Sequence, residues 1–161
     1  MTDGPVFALV FAAALGSDLI AGFMFAFSTG VMSALRRVPA AHGIETMQAI
    51  NIAVINPVFL GAFVGTAVLS LGAAIMAVVR WGEDGSLATL VGGTAYVIGA
   101  FVVTMAANVP MNNALALADP TSEVGGEVWI RYLARWTAWN HVRTVASLAA
   151  CAAFILALAT S

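Results

Sequence analysis

The sequence predicts an all-α integral membrane protein, a four-transmembrane-helix bundle running up-down-up-down, with amphipathic cytoplasmic connecting segments. Three observations predict it. Hydrophobic residues make up 61% of the 161-residue chain and charged residues 9%, with a mean hydropathy of +0.98. A soluble domain carries about 25% charged residues, so most of this surface is suited to lipid. The apolar residues also gather into four runs, about 5–36, 52–80, 87–109 and 139–160, each near or above the roughly 20 residues that cross a bilayer. Finally, Arg36 and Arg37 follow the first run and Arg131, Arg135 and Arg143 precede or open the fourth, while Arg80 stands alone on the other side. The positive-inside rule then puts both termini outside a multi-pass protein of the cell membrane.

Taken in order, the first run is uncharged except for Asp18. Asp18, Gly22, Phe25, Thr29 and Met32 recur at helical spacing and form one stripe. An acid inside a membrane segment is expected to be neutral or paired within a polar seam, and Phe25 and Met32 are expected to line the same space. The connection "RVPAAHGIETMQAIN" reads as a short amphipathic helix that turns Met47, Ile50 and Val54 toward the bundle. The second run has no charge from Ile52 to Val79 and carries Gly61 and Gly65 as a G-x-x-x-G pair. With Ala149, Ala153 and Ala157 in the fourth run, it predicts close helix packing through small residues; a homo-oligomer is also open. The tight connection at residues 81–86 makes the second and third runs antiparallel neighbours.

The third run closes on "NVPMNNALA". Pro110 has no amide proton, which frees the carbonyl of Ala106, and Asn108 and Asn112, four apart, share a helix face. After Pro120, Glu123 and Glu127 suit a helix N-terminus and Arg131 and Arg135 its later turns. Residues 123–139 are therefore expected to form an amphipathic helix on the cytoplasmic surface that leads into the fourth run. The opening "MTDGPVFALVFAAALG" lacks the positive n-region of a signal peptide and reads as a retained first helix.

Several function classes are excluded. A net charge of −2 with six arginines and no lysine is unsuited to nucleic acid. The lone Cys151, in an alanine-rich run, reads as a small buried hydrophobe and makes no disulfide or multi-thiolate site. His42 and His141 sit on different elements without ligand spacing, so neither a metal nor another cofactor is expected.

The polar residues converge instead. Asn51, Asn56, Asn108, Asn112, Asn113, Asn140 and Arg143 all fall at the arginine-rich membrane face, and buried amides and guanidinium groups require partners. In "RYLARWTAWNHVR", at 100° per residue, Trp129, Trp136, Asn140 and Arg143 lie within about 60° of one another, while His141 points away. Trp129, Tyr132 and Trp139 read as an interfacial aromatic belt. Asn112, Asn140 and Arg143 are expected to meet around one space, with Trp136 as a wall.

Four stretches, "GFMFAFSTGVM", "IETMQAINIAVINPVF", "NVPMNNAL" and "RWTAWNHVRT", together resemble the anthrone oxygenase-like family of small membrane proteins. The matching positions are Asn51, Asn108, Pro110, Asn112, Trp136, Asn140 and Arg143. The resemblance implies an oxidoreductase that acts with O₂ on a hydrophobic aromatic or quinone-like molecule, without an established metal or flavin. On that reading Asn108, Asn112, Asn140 and Arg143 stabilise an enolate oxyanion, and Trp136, Asn51, Phe25 and Met32 hold the ring. No Asp or Glu sits on this face to serve as a base. The alternative is a non-enzymatic membrane protein that binds a lipid or quinone or supports a partner complex. Cysteines placed at Thr2 and Ser161, with Cys151 replaced, should be labelled by an impermeant thiol reagent on intact cells; labelling only after lysis overturns the orientation.

Overall fold

The computed structural model describes residues 4–160, so Thr2 and Ser161, and with them the call on the termini, lie outside the described residues. The described chain is helical and contains no strand. Five helices follow one another: α1 (Gly4–Leu35), α2 (Ala40–Ala53), α3 (Pro57–Val79), α4 (Ser86–Ala116) and α5 (Glu123–Ala159). Four of them, all but α2, are long and apolar enough to cross a membrane. They close into a ring in which α1 and α4 each pack between α3 and α5. Leu19, Val68, Leu87 and Val145, each more than 60% exposed, stand on the outside. This is the surface of a multi-pass membrane protein, because in water so much exposed apolar area would drive association.

The helix boundaries depart from the expected runs for local reasons. The second span begins at Pro57, not at residue 52. Asn56 is extended, its Oδ1 accepts from Val58 N and Phe59 N at 3.1 and 3.0 Å, and its Nδ2 donates to Ala53 O. Asn56 thus caps α3, Pro57 opens it, and the chain breaks sharply after α2. The third span runs on to Ala116 because residues 104–108 form a π-turn in which Val109 N bonds to Thr104 O. Pro110 follows at the start of the next α-helical stretch, where its missing N–H costs little. The fourth span has no break near residue 139: α5 is a single helix of 37 residues whose cap, Ser122, accepts from Gly125 N at 2.9 Å. Just before it, Thr121 donates twice to the Asp119 carboxylate, from N and from Oγ1, which holds that carboxyl below its ordinary range.

A second π-turn, Phe27–Val31, interrupts α1. Its i→i+5 hydrogen bonds insert an extra residue into the turn and shift the phase of everything beyond it. Before it, Asp18, Gly22 and Phe25 face outward together, and the inward position belongs to Ser17, which is fully buried. Asp18 therefore lies on the outer surface of α1 and not in a polar seam. Past the turn, Met32 points inward at 1% exposure.

The close helix contacts also use other small residues than the expected ridges. A Cβ at Gly61 or Gly65 would meet nothing within 4 Å, and of the alanine ridge Ala149 is exposed while Ala157 is buried in the core. The tight approach lies between α4 and its two neighbours. A Cβ at Gly93 would stand 2.5 Å from Ser70 O on α3, and one at Gly92 would stand 2.9 Å from the Phe154 ring on α5. On α1, Gly16 accommodates Thr66 of α3 in the same way. Toward its other end α4 leaves α3: residues 86–102 pack on it, and residues 104–116 pack on α2 and α5. Gly93→Ala should push α3 and α4 apart and lower stability by about 1–3 kcal/mol, read as a reduced unfolding midpoint in detergent. Gly61→Ala should leave the midpoint unchanged.

Candidate functional site

Where α3 and α4 diverge, the structure holds a cavity of about 600 Å³. One side is a wall of phenylalanines: Phe23 and Phe27 from α1, Phe59 and Phe63 from α3, and Phe101 from α4. These rings touch in sequence, with centroids 4.9 Å apart for Phe23–Phe27, 4.7 Å for Phe23–Phe59 and 5.5 Å for Phe63–Phe101. The other side is polar and carries Asn51, Thr104, Asn112, Trp136 and Arg143.

Arg143 is the one ionisable side chain that lines the cavity, and it is only 6% exposed. One guanidinium NH₂ donates to Thr104 Oγ1 at 3.1 Å and the other to Asn140 Oδ1. Its Cζ lies 5.1 Å from the centre of the Trp136 ring, a cation–π contact that strengthens as water is excluded. Nε makes no hydrogen bond. Among the described residues no carboxylate pairs with it; Arg131 meets Glu127 at 3.5 Å on the exposed face of α5. A buried cation with neutral acceptors and no counter-ion is costly, and it leaves positive potential for a ligand to neutralise.

Asn140, 1% exposed, sets the guanidinium's position. Its Nδ2 donates to Met24 O and to Ser28 Oγ, both at 2.7 Å. With both N–H groups engaged on α1, Oδ1 is the atom left for Arg143. Thr144 Oγ1 donates to Asn140 O at 2.8 Å and lies 3.3 Å from Ser28 Oγ, which ties the π-turn of α1 to α5.

A second amide is oriented by the same logic. Asn112 Oδ1 accepts from the Tyr132 hydroxyl at 2.7 Å and from Trp136 Nε1 at 2.8 Å. Both lone pairs are used, so its NH₂ is the group available to the cavity. Asn51 lines the cavity with its Nδ2 lacking a protein partner. Asn108 does not line it: it is 1% exposed, and its Nδ2 donates to Trp136 O at 3.3 Å. Gln48 joins the lining with its Nε2 spent on Leu115 O and Ala118 O, which clamps the end of α4.

The aromatics of α5 form a ladder: Trp129 stacks on Tyr132 and Tyr132 on Trp136, each pair 5.8 Å apart. Trp129 and Tyr132 are therefore not part of an interfacial belt. Spaced i, i+3 and i+7, they share the inward stripe with Arg143 and are 3% and 4% exposed. Trp139, 41% exposed, lies outside that stripe. Trp136, which lines the cavity, stacks on Tyr132, carries Arg143 over its ring and stands 5.9 Å from Phe27.

Of the residues expected around the site, Asn51, Asn112, Trp136 and Arg143 line the cavity, while Asn108 and Asn140 lie behind it. Phe25 and Met32 do not line it. Phe25 is 54% exposed on the outer face of α1, and Met32, displaced by the π-turn, packs with Ile44, Met47 and Trp129. The phenylalanine wall, Thr104 and Gln48 escaped the sequence reading, although Phe23/Phe27 and Phe59/Phe63 each carry the i, i+4 spacing of one helix face. Among the described residues no three His, Cys, Asp or Glu side chains gather as metal ligands, and His42 and His141 are both exposed.

The model of the anthrone oxygenase family matches residues 54–153, more than half of the chain. The chain belongs to the anthrone oxygenase family. The part matched to this family contains Thr104, Asn112, Trp136, Asn140 and Arg143, and it stops short of Asn51 and of the α1 residues on the cavity. No curated protein and no solved structure matches the chain. Asn140→Ala should strand the Arg143 guanidinium and the Met24 carbonyl and lower stability by about 1–3 kcal/mol, measured as the unfolding midpoint in detergent. Arg131→Ala, on the exposed side of the same helix, should stay near wild type.

Proposed function

We propose that this protein is a membrane oxidoreductase that uses O₂ to oxygenate a flat, hydrophobic, anthrone-like molecule in this cavity, with no cofactor. The observation that carries the reading is Arg143, the single cation among the described residues that line an otherwise neutral, aromatic cavity, held by Thr104 and Asn140 and left without a carboxylate partner among the described residues. Such a cation stabilises negative charge that develops on a bound oxygen, and in a water-poor cavity the effect is far larger than in water.

The chemistry balances without an external reductant. The ring methylene that lies across the central ring from the ketone, conjugated with it through the fused aromatic rings, loses a proton to give an enolate, whose electrons reduce O₂. One oxygen atom forms the new carbonyl and the other leaves as water, so R₂CH₂ + O₂ gives R₂C=O + H₂O. Arg143, with the Asn112 amide as a second donor, holds the enolate oxygen and shifts the keto–enolate balance toward the reactive form. Asn140 and Thr104 position the guanidinium, Asn108 holds the backbone at Trp136, and the phenylalanine wall takes the ring. In this reading the four spans alternate up and down, both termini lie outside the cell, and the cavity sits at the arginine-rich cytoplasmic end.

One observation favours the second reading, a protein that binds a lipid or quinone without turning it over. No carboxylate or imidazole lines the cavity to take the proton. Oxygen uptake separates the two. Purified protein given anthrone should consume O₂ and form anthraquinone faster than buffer, and Arg143→Gln should reduce that rate about 100-fold or more, with partial recovery in Arg143→Lys. Anthraquinone binding without O₂ uptake establishes the binding protein instead, and an unchanged rate in Arg143→Gln removes the oxyanion role.

A further inference from the structure

Part of the cavity's lining is also part of the protein's outer surface. Leu60 and Val64 on α3 and Met105 on α4 line it, yet they are 40%, 42% and 52% exposed. Ile52 and Ile55, at the break between α2 and α3, line it at 75% and 71% exposure. All five are apolar, and Leu60, Val64 and Met105 belong to helices long and apolar enough to cross the membrane. The opening has a structural cause. Gly93 lets α3 and α4 approach along residues 86–102, and beyond that point α4 turns to α2 and α5, leaving the side between α3 and residues 104–116 uncovered. One π-turn, Thr104–Asn108, lies on the α4 side of this gap, and another, Ala95–Val102, leads into it; such turns commonly mark functional departures from a straight helix.

We infer that the cavity opens sideways into the bilayer, through a portal between α3 and the 104–116 stretch of α4, and that its ligand arrives from the hydrocarbon and not from water. The inference rests on the proposal that the cavity takes a flat aromatic ligand. The portal and the site then select opposite forms of one molecule. Apart from the Asn113 amide, the exposed lining is apolar and carries no charge, so a charged ligand loses most of its hydration there without compensation. A neutral lipophile passes without that cost and meets Arg143 only inside, where its anion is stabilised. The portal thus admits the protonated molecule and the cavity favours its ionisation.

Two probes with the same ring system test the route in vesicles that contain the full-length protein. 2-Methylanthraquinone partitions into the bilayer, and anthraquinone-2-sulfonate stays in water. Quenching of the fluorescence that Trp136→Phe removes reports arrival in the cavity. The wild type should be quenched by the methyl compound and not by the sulfonate. Val64→Phe combined with Met105→Phe narrows the portal at two exposed positions where folding does not depend on packing. It should slow quenching by the methyl compound about ten-fold. Val68→Phe, on the same helix but away from the cavity, should quench at the wild-type rate. Equal quenching by the sulfonate, or a wild-type rate in the double variant, overturns the lateral portal. If neither probe quenches the wild type, the cavity is not a site for such rings, and this inference falls with the proposed function. Quenching with the predicted portal effect but no O₂ uptake from anthrone keeps the portal and removes only the oxygenase.

Discussion

A guanidinium buried among apolar side chains must be surrounded by acceptors, and much of this structure follows from meeting that requirement. Arg143 is served by Thr104 from α4 and by Asn140 from its own helix, and Asn140 can serve it only because Met24 and Ser28 of α1 engage its amide hydrogens. Three of the four long helices are therefore tied to one side chain. No charge within the protein cancels it among the described residues, which separates this arrangement from a structural salt bridge. The cation is held in place but not neutralised.

The rest of the bundle balances closure against opening. At one end, Gly92 and Gly93 remove side-chain bulk so that α4 approaches within reach of the backbones of α5 and α3. At the other end, the helices separate and phenylalanines face the space between them. In lipid there is little hydrophobic gain from pulling such rings together, so a gap between helices persists more readily than in a water-soluble core. The π-turns belong to the same end: Phe27, Phe101 and Thr104 lie within them and on the cavity.

Membership of the anthrone oxygenase family and the cavity's chemistry point in one direction from independent sides. The family match begins at residue 54, whereas the geometry draws in Phe23, Phe27 and Asn51 from before it. Aromatic faces line one side of the cavity and amide donors and a cation the other, which supports the proposed flat ring with an acceptor oxygen.

The four-span architecture was legible in the sequence because apolar runs of this length have few alternatives once every backbone group must be satisfied within its own segment. The convergence of Asn112, Trp136, Asn140 and Arg143 was also legible, since their spacing repeats the helical period and they sit toward one end of their spans. What sequence alone missed were effects of phase and of neighbours. The π-turn after Phe25 turned Met32 inward, away from the outward face that Asp18, Gly22 and Phe25 share, and no local composition signals that change of register. Trp129 and Tyr132 have the chemistry of interface anchors, and only packing against α1 and α2 made them buried rungs of a ladder. Asn56 looked like a site residue and is a helix cap, because the break at Pro57 left amides for it to satisfy. The G-x-x-x-G pair was the conspicuous small-residue motif, yet the contacts fell to Gly92 and Gly93, since which face meets a neighbour depends on where all four helices settle. Composition and periodicity determined the spans and the polar stripe; the cavity, its phenylalanine wall and its open side exist only between helices, and the tertiary structure decided them.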